Sequence, residues 1–455
     1  MGMTQALAKY IVNLQYDNIP AEVVDMAKMV MCDFVGVAIA GREYDGPKRL
    51  KEYILERGGA EECSVLGHGF KTTLPMSALL GGTMGHVLDY DDVHSTMRGH
   101  GSIVVAPVIW ALGDKYNITG KRAIEAFIAG WETAAYIGKY TLSTSGGGVG
   151  AWHSTKQIGA LSAAMTAAKL LDLNEDQTRS AIGIASSMAG GLTANFGSMT
   201  KSLHAGLCAH DGIVAALLAK KDFTANANIL EVDFGYQHAF VGGDRPAAEP
   251  IIALMESGTF WDITAGSLAF KMHPACYCGH CTIGAMIELA QSEDINPDDV
   301  ESICIEAEEF IFRILQIHEP KVGLEGKFCI EFQAAAALTD RKVGLAQFTD
   351  ENVVRFGPMM KKVKTRVSSK PGPGGIMGTS ATVEVTMKDG RVLTNTKCHP
   401  LGNAENPINW DQLLEKYQEC VSLYYTDEDV SRSAEILKDL DKLDGFRKLS
   451  EIFTK

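Results

Sequence analysis

The chain has 455 residues, of which 46% are hydrophobic and 22% charged. This excludes a disordered, collagen-like or coiled-coil polypeptide and leaves room for two or three domains. The formal net charge is -14, from 42 Lys plus Arg against 56 Asp plus Glu. An acidic surface repels phosphate backbones and anionic lipid, so neither nucleic acid nor a membrane is an expected partner. Any cation that binds an acidic metabolite must be gathered locally against this field. Apolar stretches such as Ile103–Leu112 fall short of the roughly 18–20 residues of a membrane span. Met1-Gly2-Met3-Thr4 has no basic flank and no apolar signal core, and ten Cys read as reduced thiols. The expected location is cytoplasmic.

The first 220 residues read as helices. Pro20-Ala21-Glu22 opens one that runs through Val23–Ala40 and stops at Gly41, with an acid placed at the positive end of its dipole. A Gly-rich apolar helix covers Ala78–Leu88. Helical patterns recur over Lys121–Lys139, Thr155–Leu171, Asn174–Ser187 and Leu203–Ala219, the third of these behind a Leu173-Asn174-Glu175-Asp176 capping signal. Gly159, Ala160, Ala163, Ala164, Ala167 and Ala168 predict close approach of backbones. Near residue 265 the character changes. Ser302–Ala307 and Ala381–Met387 alternate with period two, and Lys388-Asp389-Gly390 before Arg391–Asn395 marks a hairpin. Phe328–Leu338 reads as a helix between these strands, and Ser368–Gly378 as a mobile loop. Beyond Pro400 and Pro407 the helical pattern returns over Trp410–Cys420, Asp427–Leu440 and Asp444–Phe453. The expected architecture is mainly α. A large all-helical domain (1–265 and 401–455) carries a smaller inserted α/β lid domain (266–400).

Four segments carry more chemistry than packing needs. Gly85-His86-Val87-Leu88-Asp89-Tyr90-Asp91-Asp92-Val93-His94, with Arg98-Gly99-His100-Gly101-Ser102, gathers three Asp, three His and an Arg at a helix end. Groups that perturb one another's pKa collect at functional sites. The bland alternative makes Asp91-Asp92 a solvated loop, and a metal site is a further option. His153 precedes a helix that Ser154 or Thr155 could cap, where the positive end of the helix would favour a neutral imidazole. The preceding Gly146–Gly150 follows no strand, so it is not a dinucleotide loop. Lys201 precedes the Leu203–Ala219 helix, where a cation opposes the dipole and calls for an anion nearby; its bland reading is a surface Lys. Lys271-Met272-His273-Pro274-Ala275-Cys276-Tyr277-Cys278-Gly279-His280-Cys281 contains soft-metal donors, but at neither zinc-finger nor ferredoxin spacing.

Together these segments resemble the MmgE/PrpD (2-methylcitrate dehydratase) family, which includes cis-aconitate decarboxylase and iminodisuccinate epimerase. The likeness lies in Leu88-Asp89-Tyr90-Asp91-Asp92…His100-Gly101, in Ala151-Trp152-His153, and in Lys271…Pro274…Cys276…His280. It is most specific in Gly197-Ser198-Met199-Thr200-Lys201-Ser202-Leu203-His204-Ala205-Gly206. The resemblance implies a helical domain, a smaller α/β domain, a cleft between them, a homodimer and no cofactor or metal. It implies that Asp89, His100, His153, Lys201, Lys271 and His280 line that cleft. Departures fall at Val93, where a Thr is common, at Gly101, where a Pro is common, and at Phe332, where many members have Tyr. His273 and Cys278 are also unusual. These departures leave the choice of acid open.

Family substrates are small di- or tricarboxylates, and the shared chemistry builds negative charge beside a carboxylate. Lys201 and Lys271 are expected to hold that carboxylate, with Arg98 as an extra clamp and Cys276 as a further contact. His100 or His153 would move the proton, and Asp89 would orient or charge-stabilise one of them. Dehydration of a citrate-like hydroxy acid is the first expectation. Decarboxylation of cis-aconitate type and epimerisation of iminodisuccinate type are alternatives in the same site. A metal-dependent hydrolase or a non-catalytic binding protein would be a different class.

Overall fold

The computed structural model describes residues 1–142, 151–241, 245–369 and 380–454. Gly146–Gly150 and positions 370–378 of the Ser368–Gly378 segment lie outside the described residues. The chain divides into two compact units. The first comprises Met1–Val87, Asp91–Leu268 and Asn409–Lys455; the second comprises Leu88–Tyr90 and Ala269–Ile408.

The first unit is built on Leu74–Val87, Ser102–Tyr116, Gly120–Thr141, Ser154–Leu170 and Met199–Ala219, helices whose surfaces are apolar over most of their circumference. Small residues let their backbones touch. A Cβ on Gly82 would come within 2.9 Å of Gly206 Cα, and one on Gly212 within 2.4 Å of Ala163 Cβ. Any larger residue there would separate the helices that carry the site. Met199–Ala219 is long and apolar enough to cross a membrane by composition, but 61% of that stretch is buried inside the protein, so its apolarity serves packing. Asn174 caps Glu175–Met188 through a reciprocal box with Gln177.

The chain returns to this unit at its end. Trp410–Val421 packs against Ala21–Gly41, and Lys416 Nζ lies 2.6 Å from Asp33 Oδ1 with both side chains buried. Burial outweighs the ammonium and pushes Asp33 up to about 6. The final helical segment is shorter than its sequence pattern: Arg447–Ser450 followed by the single turn Glu451–Phe453. A two-residue antiparallel pair, Cys63–Ser64 with Lys71–Thr72, interrupts a unit read as all-helical.

The second unit centres on a four-stranded sheet ordered Val363–Val367, Val300–Ala307, Ala381–Met387, Val392–Lys397. The last two form the expected hairpin, with Val385 opposite Leu393. A register shift between Val300 and Ser302 explains why Val300 and Ile303, an odd spacing, are both buried. The sequence does not announce Val363–Val367, because four of its five residues are exposed and it has no apolar face to alternate. It joins as an edge strand, parallel to Val300–Ala307. Helices His280–Ser292 and Ile330–Asp340 pack in this unit's core. Phe332 lies there against Phe348 and Phe356, each ring 5.4 Å away. A tyrosine at this position would bring a hydroxyl into an aromatic cluster.

Candidate functional site

In the first unit the turn after Leu74–Val87 carries Asp91 and Asp92, both 0% exposed, so they are not a solvated loop. Asp92 accepts hydrogen bonds from Gly101 N (3.1 Å) and Ser102 N (3.2 Å), capping Ser102–Tyr116 from a distant point in the chain. This accounts for Gly101. Proline would delete the first bond, and a Cβ there would fall 2.5 Å from the Trp131 ring. Asp91 serves two imidazoles. Its Oδ1 lies 3.0 Å from His86 Nδ1 and its Oδ2 2.8 Å from His100 Nδ1, which also faces the Asp92 carbonyl at 2.8 Å. All of these partners accept, so both Nδ1 atoms carry hydrogen and both Nε2 atoms present lone pairs in the neutral rings. The rings meet edge to face at 4.5 Å. Burial would raise Asp91, but the two imidazoles override it and hold the carboxyl well below its usual range. Burial pushes His86 down to about 4 despite Asp91.

His153 and His204 extend the cluster. His153 itself occupies the cap position of Ser154–Leu170 and makes no side-chain cap. Neither following hydroxyl caps the helix: Ser154 Oγ donates to the Arg98 carbonyl, and Thr155 Oγ1 accepts from His100 N. His153 N donates to Gly191 O at 2.9 Å, and the ring sits edge-on to Phe196 and 6.2 Å from His86. Its Nδ1 is 3.1 Å from His204 Nδ1. Burial first, then Lys201 and the neighbouring imidazoles, drives His153 well below the usual histidine range. The helix end that the sequence invokes is not the principal cause.

Lys201 lies within the first turn of Met199–Ala219, because that helix starts four residues before the expected Leu203. It is buried, with its ammonium 5.5 Å from the centre of the Phe196 ring. A buried cation at the positive end of a helix makes a strong anion receptor. Arg98, by contrast, is exposed on a left-handed turn (φ 50).

The second unit holds a different set. Lys271 is 1% exposed, and its Nζ reaches Asp89 Oδ2 at 3.1 Å and Asp89 O at 3.0 Å. Asp89 is itself left-handed (φ 51) and buried. The carboxylate on Lys271 is that of Asp89. The carboxylate hydrogen-bonded to two imidazoles is Asp91. Lys327, which the sequence did not single out, donates to Leu88 O at 2.7 Å and Pro274 O at 2.8 Å. Two buried lysines thus clasp the Leu88–Asp89 backbone.

His280 opens the His280–Ser292 helix and points Nε2 at the Ala275 carbonyl, 3.2 Å away. Its hydrogen is therefore on Nε2, and its buried Nδ1 has no hydrogen-bond partner among the described residues. Burial, His273 and Lys271 hold it well below the usual range. His273 Nδ1 meets the Val343 carbonyl at 2.8 Å. A hydrogen bond from Cys278 holds the half-buried Cys276 thiol below its ordinary range and leaves Cys278 raised.

His100, His153 and Lys201 thus share one cluster in the first unit, and Asp89, Lys271 and His280 share another in the second. His86, Asp91 and His204 complete the first cluster. Two signals could have found them. His86 and Asp91 bracket a helix end, and His204 stands three residues after Lys201 on one helix face.

Residues 5–249 match the MmgE/PrpD N-terminal domain and residues 273–442 the MmgE/PrpD C-terminal domain. Cis-aconitate decarboxylase of Aspergillus terreus is 25% identical over 99% of this chain and 96% of its own length. Cis-aconitate decarboxylase-like protein oryM of Aspergillus oryzae is 26% identical (95% and 93%), and the Homo sapiens cis-aconitate decarboxylase 24% identical (97% and 92%).

Proposed function

The chain belongs to the MmgE/PrpD family, and from that premise we propose that it is a lyase that decarboxylates a small unsaturated tricarboxylate of the cis-aconitate type. The observation that carries this reading is the first-unit cluster: four imidazoles with the buried Lys201 ammonium acting on them, and Asp91 fixing two of the rings. The names of the relatives support decarboxylation over the dehydration of a citrate-like acid.

Loss of CO₂ breaks the bond between a carboxyl carbon and its neighbour. The electron pair spreads through the double bond onto a conjugated carboxylate, and a proton adds at the far carbon. Lys201 stabilises the charge that builds on that carboxylate, in a site where low polarity strengthens the contact. A hydrogen carried by an imidazole supplies the proton. Desolvation raises the energy of the departing carboxylate more than that of the delocalised transition state. Lys271, already met by Asp89, pins the Leu88–Asp89 segment within the second unit. The active species is a homodimer, which light scattering would test.

The deciding experiment is cis-aconitate in deuterated water, followed by NMR. The expected result is release of CO₂ and an unsaturated dicarboxylate with one deuterium at the protonated carbon. Water loss from citrate or 2-methylcitrate without CO₂ release would instead establish a dehydratase. Proton exchange in an aminodicarboxylate alone would establish an epimerase.

A further inference from the structure

Lys327 has a fixed base. Its own carbonyl accepts from Cys276 N at 3.0 Å and from Gln333 Nε2 at 2.9 Å, and its ammonium lies 4.7 Å from the centre of the Phe348 ring. The residue is 1% exposed. From this base Nζ donates to Leu88 O at 2.7 Å and to Pro274 O at 2.8 Å, the short distances of charge-assisted bonds. Leu88 is the first residue after the Leu74–Val87 helix. The next carbonyl along, Asp89 O, is held by Lys271 Nζ at 3.0 Å. Asp89 has φ 51, in the left-handed region that residues with a Cβ populate sparsely. Ammonium groups thus pin two consecutive carbonyls of one short segment.

That segment leads directly to Asp91, three residues after Leu88. The Asp91 carboxylate reaches His86 Nδ1 with Oδ1 at 3.0 Å and His100 Nδ1 with Oδ2 at 2.8 Å. His86 stands two residues before Leu88, so both ends of the pinned segment run into one hydrogen-bonded set. A shift of the segment by about 1 Å would stretch at least one of the two contacts past the usual range of about 2.7–3.2 Å. We infer that Lys327 is a positioning residue: by holding the Leu88 carbonyl it fixes where the Asp91 carboxylate stands and so how the His86 and His100 rings are set. Its effect on turnover rests on the lyase reading; its effect on the rings does not.

The test separates the two. In histidine-labelled full-length protein the His86 and His100 Nδ1–H groups, each held by Asp91, should give downfield proton–nitrogen NMR correlations, assigned with His86→Gln and His100→Gln. Lys327→Met keeps the stem and removes the donors. It should shift or broaden both correlations, and lower kcat on cis-aconitate about 10²-fold with KM changed only a few-fold. Lys169→Met is the control: it removes another buried ammonium, one that holds the Val12 and Leu14 carbonyls, and should lower the denaturation midpoint while leaving both correlations and kcat in place. Where Lys327→Met does not fold, Lys327→Gln is read by the same two correlations. Unmoved correlations in the folded Lys327 variant would overturn the inference, as would an equal disturbance in Lys169→Met. Correlations that move as expected in a protein whose wild type releases no CO₂ from cis-aconitate would sustain the positioning role and remove the lyase reading.

Discussion

Asp89 and Asp91 stand two positions apart, in different compact units, and each is buried with nitrogen partners. Asp89 meets an ammonium, Lys271, and the pair neutralises itself. Asp91 meets two imidazoles and fixes which nitrogen of each carries hydrogen. The same functional group therefore balances charge in one unit and sets proton positions in the other. The difference teaches that proximity of acids in a sequence does not define a shared role. The partner decides, because an ammonium offers charge alone, whereas an imidazole offers two nitrogens whose states are linked.

The comparison can be broken most forcefully at Asp91. Asp91→Asn keeps the shape but leaves a single oxygen, so one of the two rings faces an NH₂ donor in place of its acceptor, and the proposed cis-aconitate turnover should fall about 10³-fold while thermal unfolding changes modestly. Lys201→Ala should cost about 10²–10³-fold in kcat/KM, the usual loss for one charge-stabilising donor; near-native turnover would refute its anion role. Asp89→Ala should act on stability first. It strands Lys271 without its carboxylate and should cost about 3–5 kcal/mol in chemical denaturation. Asp89→Ala with Lys271→Met should recover most of that loss, and failure to recover would show that the pair does more than balance charge.

The smallest effect concerns pH. Burial and Asp262 raise Glu132 from 4.5 to about 8 in the first unit. A folded-state value above the unfolded one means stability is greatest below about pH 4.5 and falls as pH rises towards 8. Glu132→Gln should flatten that decline in denaturation measured across this window. An unchanged slope would place the titrating group elsewhere.

Much of the fold was legible because its signals are local. Asn174 with Gln177 is a capping box within one turn, Asp389-Gly390 is a hairpin within three residues, and the Gly and Ala of the central helices state how near their neighbours come. His100, His153 and Lys201 were legible as chemistry because packing gains nothing from them. Tertiary structure alone decided the pairings. Nothing near Asp89 in sequence shows Lys271 waiting 182 residues away, and nothing near His153 shows His204, 51 residues on, facing it through the same nitrogen. Val363–Val367 has no face of its own and became a strand only through the ladder beside it. Composition and periodicity fix which segments bury and how they turn. Which carboxylate meets an ammonium and which an imidazole depends on distances of about 3 Å between segments far apart in the chain, and only folding sets those distances.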